Sequence, residues 1–182
     1  ADEFYKYMSA FEKKISNATT DADVKLVRES LRRSAKAAAE GYKQRRLPRQ
    51  EEEYQKGKLQ APEQAELSLL AQLAAAVCSG RTLLDASGST DGASEGVLFQ
   101  CHPMQVFAII SFFLLQHALP LPGLDGASHK REVEREYHFR EIGTGEGKSI
   151  VLAATAIMAS LLGIHTDVAC YSTVLVRRDQ EA

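Results

Sequence analysis

Apolar positions recur at helical spacing from the first residues of the chain. Phe4, Met8, Phe11 and Ile15 fall on one face of a helix over residues 3–16, with Lys6, Lys13 and Lys14 off that face. Thr20 followed by Asp23 has the form of a capping pair. Behind it Val24, Val27, Leu31, Ala38 and Tyr42 continue a long helical stripe. Leu47-Pro48 is expected to end that helix, because proline disfavours helical backbone in the residue before it. Arg49 to Leu59 is so highly charged that it reads as a surface helix or a linker. Pro62 suits the first turn of a third helix, lined by Leu67, Leu70, Leu73 and Val77 and stopped by Gly80.

Residues 85–96, DASGSTDGASEG, have no apolar periodicity and read as a mobile loop. Pro103 then opens a strongly apolar helix, MQVFAIISFFLLQHAL. Its apolar run, Val106 to Leu115, is shorter than the about 20 residues that span a bilayer, so a buried core helix is expected. LPLPGLDGAS breaks that helix, and HKREVEREYH reads as a solvent-exposed arm. From there the texture changes. YHFREI reads as a strand, Lys148 to Leu162 as an apolar helix closed by Gly163, and Thr166 to Tyr171 as a second strand. The fold class expected is therefore mixed α and α/β. A mostly helical N-terminal region, 1–101, precedes the first βαβ unit of a P-loop (RecA-like) motor domain, 102–182, with a loop insertion near 120–136.

Composition narrows the picture modestly. The chain has 182 residues, 45% of them hydrophobic and 25% charged, with a net charge of −2. That balance suits a globular protein and gives no whole-chain argument for nucleic acid or membrane binding. Basic residues are concentrated in 25–60, where a solvated helical face is the plain reading. Cys78, Cys101 and Cys170 are odd in number and far apart, with no CxxC, which suits buried thiols in a reducing compartment. No signal peptide is visible and the first residue is not Met, which reads as a fragment or a processed form in the cytoplasm. None of the five histidines has metal-site spacing.

The stretch that names a chemistry is REIGTGEGKS, residues 140–149. A strand, a glycine turn, Gly-Lys-Ser and a helix form the context that a phosphate loop requires. Glycines let consecutive backbone N–H groups point at phosphate oxygens. The helix from Lys148 adds the positive end of its dipole. The Lys148 ammonium is suited to the β and γ phosphates, and the Ser149 hydroxyl to Mg²⁺. The strict GxxxxGK[ST] pattern would have glycine at 142, where Ile142 stands. The shorter TGxGK[ST] form is intact as Thr144, Gly145, Glu146, Gly147, Lys148 and Ser149. Glu146 is expected to face outward, leaving binding to the backbone and Lys148.

EIGTGEGKS resembles the TGEGKT phosphate loop of SecA, the motor ATPase of bacterial protein translocation, and Glu146 between the glycines favours that family over helicases in general. HPMQVFAI is similar to the family's VQ element, and DVACYSTVLVRRDQEA to its strand and helix with an RD pair, here Arg178-Asp179. The weaker APEQAELSLLAQL resembles the helix before the VQ element. The resemblance implies that Gln105 contacts adenine and that Gly143 to Ser149 hold the phosphates, with ATP and Mg²⁺ as cofactors. It implies ATP-driven translocation or remodelling of a protein substrate, with translocation partners and peripheral association with a membrane. No DExD element follows Lys148 in this chain, so catalysis by the chain alone is not expected. Two alternatives stay open: a helical interaction scaffold with a degenerate nucleotide site, and a nucleic-acid-dependent superfamily 2 helicase, to which the basic stretch gives only weak support.

Overall fold

A computed structural model describes residues 2–56, 60–87, 101–115 and 147–169. They form five helices: α1 Asp2–Ser16, α2 Asp21–Gln55, α3 Gln64–Ser87, α4 Pro103–Leu115 and α5 Lys148–Leu161. The four apolar positions of α1 are its buried face, as the spacing predicts. Thr20 and Asp23 exchange the two bonds of a capping box. The Thr20 N–H donates to Asp23 Oδ2 at 3.1 Å, and the Asp23 N–H donates to Thr20 Oγ1 at 3.2 Å.

The centre of the molecule is α3. Leu70, Leu73, Ala74 and Ala75 have no exposed surface, and the helix touches each of the other four. Its run of alanines, 74–76, allows neighbours to approach on several sides rather than along one stripe. α2 packs antiparallel to it: Ser34 meets Gln72, Gly41 meets Leu69, and Arg49 meets Glu66. α4 and α5 add Val106, Ile109, Phe113, Val151, Ala154, Met158 and Leu162 to the same core.

Three expectations are corrected. α2 does not end at Pro48 but runs on to Gln55. Proline in a helix interior removes one backbone bond and costs about 3 kcal/mol. Here the turn beyond it is anchored to the start of α3. Arg46, only 1% exposed, lies 3.4 Å from Glu53 and donates to the Gln60 carbonyl at 2.8 Å. Glu53 also accepts the Gln60 N–H at 2.9 Å, and Arg49 reaches Glu53, Glu63 and Glu66 at 2.9, 2.7 and 3.3 Å. The charged stretch expected to be a linker or surface helix therefore carries a buried ion network, although the Arg49 Nε to Glu53 approach is an ion contact rather than an aligned hydrogen bond. Similarly, α3 continues through Gly80 to Ser87. Glycine weakens a helix interior by only about 1 kcal/mol, which does not by itself end a helix.

The larger correction concerns fold class. The described residues are helical with no strand, so the chain is seen as a helical protein and not as a βαβ P-loop unit. Residues 166–169 have no strand pairing, and all four are exposed. A strand needs a neighbouring ladder for its N–H and C=O groups, and no described segment offers one. The expected strand at 137–142, the loop at 85–96 beyond Ser87 and the insertion near 120–136 lie outside the described residues. No described helix is long and apolar enough to cross a membrane.

Candidate phosphate and adenine site

α5 begins without a side-chain cap. Its N-cap is Gly147, at φ 71° and ψ 42°, and its carbonyl accepts the N–H groups of Ile150 and Val151 at 3.0 and 3.3 Å. The left-handed backbone at this position suits glycine alone among common residues at no steric cost. The far end of α5 shows why the helix stops. Gly163, at φ 82°, follows the C-cap Leu162. The Ile164 N–H bonds the Ala159 carbonyl at 2.9 Å, and the Gly163 N–H bonds the Ser160 carbonyl at 3.0 Å. This is a Schellman arrangement, and it closes the helix at Gly163 as the sequence predicts.

α4 also has a defined start. His102 is the N-cap, since its carbonyl accepts the N–H groups of Gln105 and Val106 at 2.9 and 3.1 Å. In return, Gln105 Oε1 accepts the His102 N–H at 2.9 Å. Proline at the first helical position and glutamine at the third are an N-terminal signature. The glutamine thus has a structural duty that the family resemblance does not assign.

The other end of that side chain reaches α5. A Cβ placed on Gly147 would lie 2.5 Å from Gln105 Nε2. Gln105 and Gly147 are 42 positions apart in sequence yet pack directly against each other. Gln105 is 8% exposed, whereas Lys148 is exposed and Ser149 half-buried at the first turn of α5. The structure therefore brings together Gln105, Gly147, Lys148 and Ser149. Gly143, Thr144, Gly145 and Glu146 lie outside the described residues.

The chemistry open to this corner is anion binding. Backbone N–H groups at a helix start point outward along the axis and carry partial positive charge. Lys148 adds a full charge at the same end. Among the described residues no group of three or more His, Cys, Asp or Glu side chains could hold a metal ion. Sequence reading passed over the double use of Gln105, although HPMQ carried the signal. No protein-family model, no curated protein and no solved structure matches this chain.

Proposed function

We propose that the chain binds the phosphates of a nucleoside triphosphate at the start of α5, as the ATP-binding part of a SecA-like motor acting on a protein substrate. The observation that carries this reading is the packing of Gln105 on Gly147, at the foot of a helix whose first residue is Lys148. In the reading, Gly143 to Gly147 cradle the phosphates, Lys148 pairs with their charge, and Ser149 holds Mg²⁺. Gln105 lies next to the loop, where its amide meets the base. The motor role rests on the resemblance of TGEGKS and HPMQ to their counterparts in that family. Hydrolysis would depend on a carboxylate supplied from elsewhere, since none of the DExD type follows Lys148. The site belongs in the cytoplasm, meeting a membrane only peripherally.

Calorimetric titration with Mg·ATP tests the reading on the native chain, Lys148→Ala and the control Lys36→Ala. Loss of one charge-assisted contact should weaken binding by about 10- to 100-fold in Lys148→Ala, with Lys36→Ala unchanged. Equal affinity in all three chains would contradict it. A second reading, a helical scaffold, is supported by the single core that all five described helices share. Absence of binding in every chain would favour it.

A further inference from the structure

The exposed ring of Tyr5 and the carboxylate of Glu12 take no part in the proposed nucleotide site, and α1 sets both on one cleft. That cleft has a volume of about 220 Å³ and is lined by Phe4, Tyr5, Met8, Ser9, Glu12 and Cys101. Its floor is apolar: Phe4, Met8 and Cys101 are 1%, 2% and 3% exposed. The floor is also held in place. The Ser79 hydroxyl of α3 donates to Met8 Sδ at 3.2 Å, and the Phe4 and Tyr5 rings meet edge to face with centroids 5.3 Å apart.

The polar side of the cleft carries an unbalanced charge. Tyr5, Ser9 and Glu12 follow one another at helical spacing along α1. Helix side chains lean toward the N-terminus, so Glu12 leans back over the turn of Ser9 and toward the Tyr5 end. Of the described glutamates withdrawn from water, Glu53 and Glu66 are met by arginine, and Glu12 alone has no ion-pair or hydrogen-bond partner among the described residues. A half-buried carboxylate without a partner favours a cation beside it. No Lys, Arg or His lines the cleft to supply one.

An apolar floor, an aromatic wall and one uncompensated negative charge together select a cation with an apolar body. The cleft is smaller than the about 300–1,000 Å³ of pockets that hold drug-sized ligands, so that body is a single ring. We propose that the cleft binds a small primary arylalkylamine, with its ring on Phe4, Tyr5 and Met8 and its ammonium between Glu12 and Ser9. Tyr5 and Glu12 are separated by about 10 Å along the helix axis, and the backward lean of Glu12 shortens that gap to the reach of a ring with a short alkyl arm. Aromatic edges and the Met8 sulfur suit an aromatic ring, and the carboxylate distinguishes the amine from its neutral analogues. This inference stands apart from the nucleotide reading and would survive its failure.

The test titrates phenethylamine, phenethyl alcohol and ethylamine at neutral pH into the isotope-labelled chain, read from amide shifts in nuclear magnetic resonance spectra. The same titrations are made on Glu12→Gln, Ser9→Phe and the control Glu3→Gln. In the native chain phenethylamine should give saturable shifts within Phe4 to Glu12 and at Cys101. It should bind about fivefold tighter than either analogue, the scale of a partly exposed ion pair. Glu12→Gln should bring phenethylamine to the level of the alcohol, Ser9→Phe should fill the cleft and abolish binding of both ring ligands, and Glu3→Gln should change nothing. If Ser9→Phe disturbs the helical circular dichroism, Glu12→Gln decides alone, since it removes the charge and keeps the shape. Absence of saturable shifts in the native chain, shifts confined to other helices, equal affinity for the amine and the alcohol, or an unchanged affinity in Glu12→Gln would overturn the proposal.

Discussion

The two ends of this helical protein solve the problem of apolar surface differently. In α1, α2 and α3 most large apolar side chains face inward, with Leu26 and Tyr5 the exposed exceptions. Phe4, Met8 and Phe11 meet Leu70 and Leu73 within one core, and even the charged side chains Arg46 and Glu53 are buried with partners. In α4 and α5 the apolar residues go all the way round. Val106, Ile109, Val151 and Met158 reach the core, while Met104, Phe107, Leu152 and Ile157 remain exposed, Phe107 by 66%. The first region buries most of its large apolar side chains in the core that all five helices share. The second leaves apolar surface beside the residues proposed to bind nucleotide. A helix that is apolar on every side belongs in an interior, so the comparison separates helices with one apolar face from a pair that also carries exposed apolar side chains.

The comparison is most severely tested at the buried ions. Truncating Glu53 to Ala leaves the Arg46 guanidinium without its carboxylate in the interior. Breaking such a pair should cost about 3–5 kcal/mol, read from the shift of the urea unfolding midpoint. A change under about 1 kcal/mol would mean that the far end of α2 is not held as described.

A smaller but more specific effect is expected at the junction of α4 and α5. Gly147→Ala places a side chain in left-handed backbone, at about 1–2 kcal/mol, and also against Gln105 Nε2. Adding Gln105→Ala should return part of that loss. Residues in direct contact show coupling of about 0.5–3 kcal/mol in a double-mutant cycle. Strict additivity would separate the two residues and with them the candidate site.

The cap of α2 supplies a third, milder test. Thr20→Ala should cost about 1 kcal/mol. The bonds from Thr20, side chain first and then backbone, hold the Asp23 carboxyl below its ordinary value. A carboxyl lowered on folding contributes stability above its unfolded pKa, near about 3.9, and that contribution is lost as pH falls through the folded value. Thr20→Ala should therefore flatten the acid limb of the stability profile. At the bottom of the scale, Phe107→Ser should change stability by no more than about 0.5 kcal/mol, because the ring is already in water. A larger loss would show that α4 is covered in solution.

Much of the helical half was legible because helix patterns repeat within a few residues. The α1 face, the Thr20–Asp23 box, Pro103 at the start of α4 and Gly163 at the end of α5 each follow from neighbours less than five positions away. The readings that failed were local rules overruled at a distance. Pro48 and Gly80 ought to stop helices, yet both helices run on, α2 with the turn beyond Pro48 anchored to the segment before α3. The strand at 166–171 failed for a related reason. A short apolar-polar alternation becomes a strand only beside another strand, and residues 166–169 have none among the described residues. At the site, the sequence singled out Gln105 and Gly147 separately. That one packs on the other could not be read from two motifs 42 positions apart.

Whether those two motifs make one nucleotide site is decided most directly by comparing Mg·ATP with Mg·triphosphate, the same phosphates without a nucleoside. Affinities would be measured by calorimetry on the native chain, Lys148→Ala and Gln105→Ala. The account predicts that Lys148→Ala weakens both ligands, whereas Gln105→Ala weakens Mg·ATP and leaves Mg·triphosphate as it was. Equal losses for both ligands in Gln105→Ala would reduce that residue to the cap of α4. No loss in Lys148→Ala would contradict a phosphate site at the start of α5.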